Sequence, residues 1–461
     1  MNKKIRKKSK TVVTNEKRNE NLNQNLNKNS NQNSNKITNE NTNENTDKKY
    51  ALMSNIKIMG TLNLLMDFKL YGAFAIIYYT QITGSMMLGM SIFSITMIAS
   101  AILEFPTGLI ADKIGRKNTV ILGCINSLIY AIILAFSNSY MGLICVAIFE
   151  GLERAFFSGN NQAFIYDTLK EVGKESEYRE YIGKTNSMYY VAGILSTICG
   201  IIVAYFTSIK VIMIVSIIPR IFEVMLSFKL KDVKRYSPDE ENVFKQARKV
   251  VKLVRENKIL KRQIIADGIS DGIGEATFQF RSKFYEMVWP MWAVGIPGIL
   301  ANIGAFTGSW FSGKILKKWG NKKVIIFSNF FSIVSNGVSL FLNNVWSPII
   351  MVTNSVFPAD VAKSDISQRL YKDEYRSSMG SLKSLVGSAL YSVFAILVGW
   401  VADLYGVLFA LAVAQVLKFV VVWEYCRIFG TRQFSWIMKK VLTNKIKAVM
   451  LYISYTKMCI L

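Results

Sequence analysis

The residues that could do chemistry in this sequence are ionisable side chains set inside apolar runs. Asp67 and Lys69 share one run. Glu150, Glu153 and Arg154 share another, Asp267, Asp271 and Glu275 a third, and Asp360, Lys363 and Asp365 a fourth. A charge placed in hydrocarbon is costly, so such residues face water, a partner or a function. Asp267, Asp271 and Glu275 recur at i, i+4 and i+8, which puts them on one face of a helix. Crowded carboxylates in a low dielectric can share a proton, the chemistry of proton coupling. The competing arrangement leaves Asp267 among lipid headgroups and pairs Asp271 and Glu275 with Lys69 or Arg154. Glu150 and Arg154, also i, i+4, could be a structural pair. Arg220 and Glu223 fall near the end of a run and read as snorkelling or paired. Aromatic residues such as Tyr71, Phe74, Phe149, Phe157 and Phe278 accompany these acids. Apolar walls with excess acid would suit an amphipathic cation, although packing accounts for most such aromatics.

Other chemistries are excluded by what the chain lacks. It has no histidine, so proton transfer falls to carboxylates. Its five cysteines show no C-x-x-C spacing, which leaves neither a metal site nor a disulfide framework. No phosphate-cradling Gly-x-x-x-x-Gly-Lys-Ser/Thr loop occurs. No cofactor, no metal and no enzymatic activity are expected.

The elements that position the charges are read from length and hydropathy. Of the 461 residues 51% are hydrophobic, and they fall in twelve runs at roughly 56–80, 85–106, 119–137, 140–165, 184–207, 209–229, 263–284, 290–312, 323–342, 345–367, 378–402 and 405–428. Each is about the twenty residues a spanning helix needs. These runs are called spans one to twelve. The charged set is spans one, four, seven and ten, so these four should face a shared wet cavity. The net charge of +25 does not signal nucleic-acid binding, because the bases cluster between runs. The linkers alternate between basic and nearly base-free. Linker 281–290, with Arg281 and Lys283, is the exception. The positive-inside rule makes the basic set cytoplasmic, with both termini on that side of the cell membrane. The expected organisation is a disordered Asn- and Lys-rich tail over 1–50, a six-helix half over 51–230, a charged linker over 231–262, a second half over 263–428 and a basic tail over 429–461. The tail is either drawn to anionic lipid or simply solvated.

The stretch Glu104-Phe-Pro-Thr-Gly-Leu-Ile-Ala-Asp-Lys-Ile-Gly-Arg-Lys117 reads as a tight basic turn between spans two and three, with Pro106 ending the first helix. Orientation requires only the bases Lys113, Arg116 and Lys117. Asp112 adds a carboxylate able to cap a helix or pair with Arg116, and Gly108 permits close helix approach. Glu104 is either a second gate residue or a carboxylate at a helix end. The halves echo each other. Gly108-x-x-x-Asp112-x-x-Gly115-Arg116-Lys117 aligns with Gly313-x-x-x-Lys317-x-x-Gly320-Asn321-Lys322, and Glu177-Tyr-Arg-x-x-x-Gly183 with Glu374-Tyr-Arg-x-x-x-Gly380. Two echoes at nearly one offset indicate a duplicated architecture.

Residues 108–117 match Gly-x-x-x-Asp-x-x-Gly-Arg-Lys, and on this motif the chain resembles a major facilitator superfamily transporter. Glu104-x-Pro106-Thr-Gly, Ala155-Phe-Phe-Ser-Gly159 and Tyr166-Asp167-Thr-Leu resemble the branch of bacterial exporters that includes macrolide- and tetracycline-type efflux proteins. The resemblance implies an all-α membrane protein of twelve helices in two pseudo-symmetric halves. It also implies a cytoplasmic gate in which Asp112 bridges to the start of span eleven near Arg376-Ser377-Ser378. The family's arginine on span four precedes its glycine by four residues, whereas Arg154 precedes Gly159 by five. Lys317 replaces Asp112 in the second copy, so the two gates should differ.

Together these features predict a proton-coupled secondary transporter that exports an amphipathic, cationic drug or antibiotic by alternating access. Gly108, Asp112, Gly115, Arg116 and Lys117 would gate, and Asp67, Glu150, Arg154, Asp271 and Glu275 would form the proton and substrate path. Its partners are a small-molecule substrate, protons and the bilayer, with anionic lipid at the basic loops and no nucleic acid. The chain is expected to act as a monomer. Proton-driven uptake of a small metabolite and a non-transporting membrane scaffold are the alternatives, and a scaffold has no reason to keep charges in every third helix.

Overall fold

The computed structural model describes residues 49–158, 160–234, 243–370 and 376–430. The two predicted tails, apart from their inner edges, lie outside these residues. So do the side chains of Asp112, Arg376, Ser377 and Ser378, and with them the predicted gate bridge. Among the described residues every regular element is helical, and the twelve spans form the two predicted halves.

Among the described residues seven helices are long and apolar enough to cross a membrane by length and composition, and they are spans two, three, five, eight, nine, eleven and twelve. The five that miss this criterion are spans one, four, six, seven and ten. Four of them are interrupted. Span one is helical over 49–66, leaves helical geometry at Asp67–Tyr71, and resumes as Ala75–Thr83. Span four consists of Tyr140–Phe157 and Asn160–Glu171, and span six of Ile209–Val215 and Ile217–Ser227. Span ten consists of Ser347–Val352, a 3-10 turn Thr353–Val356 and Ala359–Leu370. Span seven, Lys258–Val288, is continuous but charged. Broken or charged backbone at membrane depth persists only where protein or a wet cavity satisfies it, so these five helices mark the centre of the molecule.

The turn after span two is tighter than its composition suggests. Helix Met86–Ile114 runs through Pro106 and stops only at Gly115. Pro106 lacks the N–H that would continue the helical ladder. Beside it Thr107 Oγ1 lies 2.9 and 3.1 Å from the carbonyls of Leu103 and Glu104 and 3.2 Å from that of Ala155, a contact between spans two and four. Gly115 takes φ 86°, ψ 160°, and its counterpart Gly320 takes φ 78°, ψ 148°. Side chains rarely occupy this region, so the repeated motif specifies a repeated turn. Gly108 behaves otherwise. A methyl group there would meet open space, so close helix packing does not explain it.

Two predicted linkers change character. Arg281 and Lys283 belong to helix Lys258–Val288 rather than to a linker, which removes the one exception to alternating linker charge. Within 231–262, helix Val243–Glu256 buries Val250 and Val254 against Leu260, Ile264 and Met379. The charged linker therefore docks on the second half. Asn257 Oδ1 then accepts from the amides of Ile259 and Leu260, both at 3.1 Å, and caps span seven.

Candidate substrate path between two charged clusters

The first cluster lies in the N-terminal half, where span one breaks. Lys69 Nζ lies 2.6 Å from Glu150 Oε1, and Arg154 approaches the same oxygen at 3.5 Å. Arg220 is 1% exposed. It reaches Glu223 at 2.7 Å and Glu153 at 3.9 Å, and both of these carboxylates are buried. Its guanidinium also donates to the carbonyls of Leu65 and Met66, at 3.2 and 2.9 Å. Those carbonyls end the first helical piece of span one, where unpaired oxygens and the negative end of the helix dipole attract a cation. Tyr130 packs its ring between Lys69 and Arg220. Asp67 faces open space beside this network. The set contains four acids, Asp67, Glu150, Glu153 and Glu223, against three bases, Lys69, Arg154 and Arg220. Asp67, Glu150 and Arg154 thus fall in one cluster, but only Asp67 and Arg154 line a cavity, and Glu150 is buried behind them. Arg220 and Glu223 are paired, the second of the two arrangements expected, and buried rather than snorkelling.

The second cluster lines a cavity of about 1020 Å³ in the C-terminal half. The carboxylate stripe of span seven separates into three environments. Asp267 is buried, not in a headgroup layer. It accepts from Tyr425 Oη at 2.7 Å and pairs with Lys383 at 2.8 Å. Asp271 faces the cavity and pairs with Lys363 at 2.8 Å, not with Lys69 or Arg154. Glu275 also faces the cavity and accepts only from Gln279, at 2.9 Å, among the described contacts. Lys363 further contacts Ser270 Oγ at 3.1 Å and Asp360 at 3.5 Å. Arg281 and Lys418 complete the basic lining. Five bases, Arg154, Arg281, Lys363, Lys383 and Lys418, face three acids, Asp271, Glu275 and Asp360, and serine and asparagine fill much of the remaining wall. This wall is base-rich, in contrast to the acid-rich wall expected from the sequence.

A second cavity of about 600 Å³ lies against the first cluster and includes Asp67, Lys69, Glu104, Glu153 and Arg154. Arg154, Ser384 and Ser388 line both cavities, so the two lobes meet between the halves. Glu104 accepts from Ser158 Oγ at 2.9 Å on this wall, which makes it a lining residue rather than a free helix end.

The path is sealed on the side of the base-free linkers. Asp403, at the end of span eleven, accepts from Ser85 Oγ at 2.6 Å and from the amides of Met86 and Met87 at 2.6 and 2.9 Å. Ser85 Oγ accepts from Leu88 N at 3.1 Å. One carboxylate from the second half thus caps the helix that begins span two, where anions are favoured. Gly399 lets the helices touch, since a Cβ there would lie 2.6 Å from the Met87 Cα.

On the basic side, Arg116 approaches Asp167 of span four at 3.6 Å, and Lys117 reaches the exposed Asp232 at 3.5 Å. The second half repeats the first contact in neutral form, with the Asn321 amide donating to Asp365 of span ten. Arg116 therefore ties span three to span four, and Lys117 ties span three to the chain after span six, within one half.

Several residues of the path were poorly marked in the sequence. Lys418 is the base in the apolar middle of span twelve, away from Arg427 at its end, and Arg220 and Glu223 are an i, i+3 pair inside span six. Both are signals of buried charge that run position obscured. Asp403, a single acid in a short linker, carried no signal.

The sequence model of the Major Facilitator Superfamily matches residues 58–382. No curated protein sequence matches the chain. Solved structures with similar folds include the nucleoside transporter NupG, at 14% identity and TM-score 0.67, covering 81% of this chain and 98% of that one. A bacterial homolog of the human lysosomal transporter Spinster, inward-facing and occupied, aligns at 12% identity and TM-score 0.63, covering 83% and 97%. The peptide transporter POT in complex with sulfate aligns at 13% identity and TM-score 0.61, covering 81% and 94%. At such identities these likenesses establish the fold alone.

Proposed function

The chain belongs to the major facilitator superfamily, and on that premise we propose that it is a proton-coupled secondary transporter moving a small polar solute across the cell membrane by alternating access. The observation that carries this reading is the pair of charged lobes meeting between the halves, closed at one end by the Asp403 cap. A membrane scaffold would not need such a path. With the basic linkers cytoplasmic, the sealed end is external and the path faces inward. Opening outward requires the Asp403 cap to break and contacts on the basic side to form.

The base-rich lining, with its serines and asparagines, favours a cargo with acceptor groups over the cation expected from the sequence. Export is the direction favoured by the motif resemblance at residues 104–108 and 155–169. The same geometry carries uptake if the gradients are reversed, and the sign of flux decides between them.

The proton is assigned to the N-terminal cluster. Glu153 faces Arg220 and Glu223 from span six, Lys69 and Asp67 from span one, Tyr130 from span three, and Glu150 and Arg154 from its own helix. Four acids against three bases leave one negative charge in excess, and one proton on Glu153 or Glu223 removes it. Releasing that proton changes the field on Arg220, which caps the break in span one. This links protonation to a helix at the path, whereas Asp271, already paired with Lys363, is assigned to the cargo lobe.

The test is reconstitution in liposomes holding a pH-sensitive dye. Adding nucleosides, peptides, organic acids and amines under an imposed pH gradient should produce proton flux with one class. Proton flux that stays at the level of protein-free liposomes with all of them would sink the reading.

A further inference from the structure

We propose that spans seven, nine, ten and twelve form an anion subsite, in which Arg281 and Lys418 hold a carboxylate or phosphate group of the cargo. The word cargo rests on the transporter reading; the subsite rests on donors and charge alone.

Among the described residues, the other bases of the C-terminal lobe have acids. Lys363 has Asp271 and Asp360, and Lys383 has Asp267. Arg281 and Lys418 are 8% and 6% exposed, and no described carboxylate pairs with either. An arginine stays charged at any physiological pH, and a charge at this depth is retained for a partner or a ligand. Both side chains line the same cavity.

Lys418 carries three N–H donors, and its one acceptor among the described contacts is Ser332 Oγ at 3.2 Å, an oxygen also approached by Asn354 Nδ2 at 2.9 Å and Asn336 Nδ2 at 3.3 Å. The ammonium therefore keeps N–H donors to spare. Ser328, one helical turn before Ser332, is 6% exposed, lines the cavity, and has a hydroxyl without a hydrogen-bond partner among the described residues. Buried polar groups are normally satisfied. Two unpaired bases, a surplus of N–H donors and an idle hydroxyl on one wall call for the same missing component, a multi-acceptor anionic group. A carboxylate or phosphate supplies it through charge-assisted hydrogen bonds.

The test is calorimetric titration of the full-length protein in lipid nanodiscs with inorganic phosphate, acetate and choline. The subsite predicts that phosphate or acetate binds and choline does not. Phosphate binding alone assigns a phosphorylated cargo, and acetate binding alone a carboxylated one. Lys418→Met should weaken anion binding about tenfold or more, as loss of a charge-assisted bond implies. Lys418→Arg should restore it. Should Arg281→Gln not fold, Ser328→Ala provides a milder variant, expected to weaken binding a few-fold. Binding of choline in place of the anions, or anion binding unaffected by Lys418→Met, would overturn the proposal. Transport of a cargo without an anionic group would also overturn it and leave the transporter reading standing. Anion binding with no proton flux for any solute would do the opposite.

Discussion

In the N-terminal half, Lys69, Arg154 and Arg220 are all engaged by carboxylates or helix-end carbonyls, and the acids exceed the bases by one. In the C-terminal half Arg281, Lys363, Lys383 and Lys418 meet as many acids, Asp267, Asp271, Glu275 and Asp360, but two of the bases have no described carboxylate. The periphery of the two halves is nonetheless duplicated. Gly115 and Gly320 turn the chain alike, and Arg116 and Asn321 both reach an aspartate on the fourth helix of their half. Span one breaks while span seven, its counterpart, stays continuous. The comparison shows that duplication is retained where it builds the scaffold and abandoned at the centre, where one half handles an excess acid and the other an excess of donors.

The largest effect should come from Arg220→Met, which strands Glu153 and Glu223 in the core and uncaps span one. Breaking a buried pair costs about 3–5 kcal/mol, so folded yield in detergent should collapse. Lys363→Met should cost less, because Asp271 and Asp360 can turn to the water of the cavity. Equal losses in thermal unfolding would break the distinction between a closed and an open cluster.

The next effect separates the halves by proton coupling. Glu153→Gln should abolish pH-driven flux in liposomes while insertion remains intact, whereas Glu275→Gln should keep it. Because coupling depends on one group binding and releasing a proton, wild-type flux should vary with pH and the Glu153→Gln variant should be flat. A flat wild-type profile would remove the N-terminal cluster from the mechanism.

The twelve spans, the two halves and the charged set one, four, seven and ten were legible because hydrocarbon tolerates few residue types. Partners were not. Periodicity put Asp267, Asp271 and Glu275 on one stripe, but it could not show that Lys383, Lys363 and Gln279 would answer them separately. The same limit made the cargo wall look acidic. Arg281 was read as part of a linker and Lys418 lies in an apolar stretch of span twelve, and only packing brings both to one cavity. Pro106 read as a helix end because proline usually stops a helix, and the packing of span two on span four, where Thr107 Oγ1 meets the Ala155 carbonyl, does not show in the sequence.

Smaller effects test the scaffold. Asp403→Ala removes the acceptor of two helix amides, a loss of about 1 kcal/mol for an exposed cap. A cysteine introduced at Ser388 should then become more reactive to an impermeant reagent applied from outside, and unchanged labelling would dissociate Asp403 from the seal. Gly108→Ala should change stability by no more than about 0.5 kcal/mol, since open space surrounds it. A larger loss in thermal unfolding would point to a contact made in another state of the transporter.

The division of labour between the halves rests on one proton in the N-terminal cluster, and pH-difference infrared spectroscopy reads it without knowledge of the cargo. The wild-type protein should show the carbonyl band of a protonated carboxyl group at neutral pH. That band should disappear in a Glu153→Gln, Glu223→Gln double variant and persist in an Asp271→Asn, Glu275→Gln one. A band that survives the first substitution pair and vanishes with the second would contradict the account.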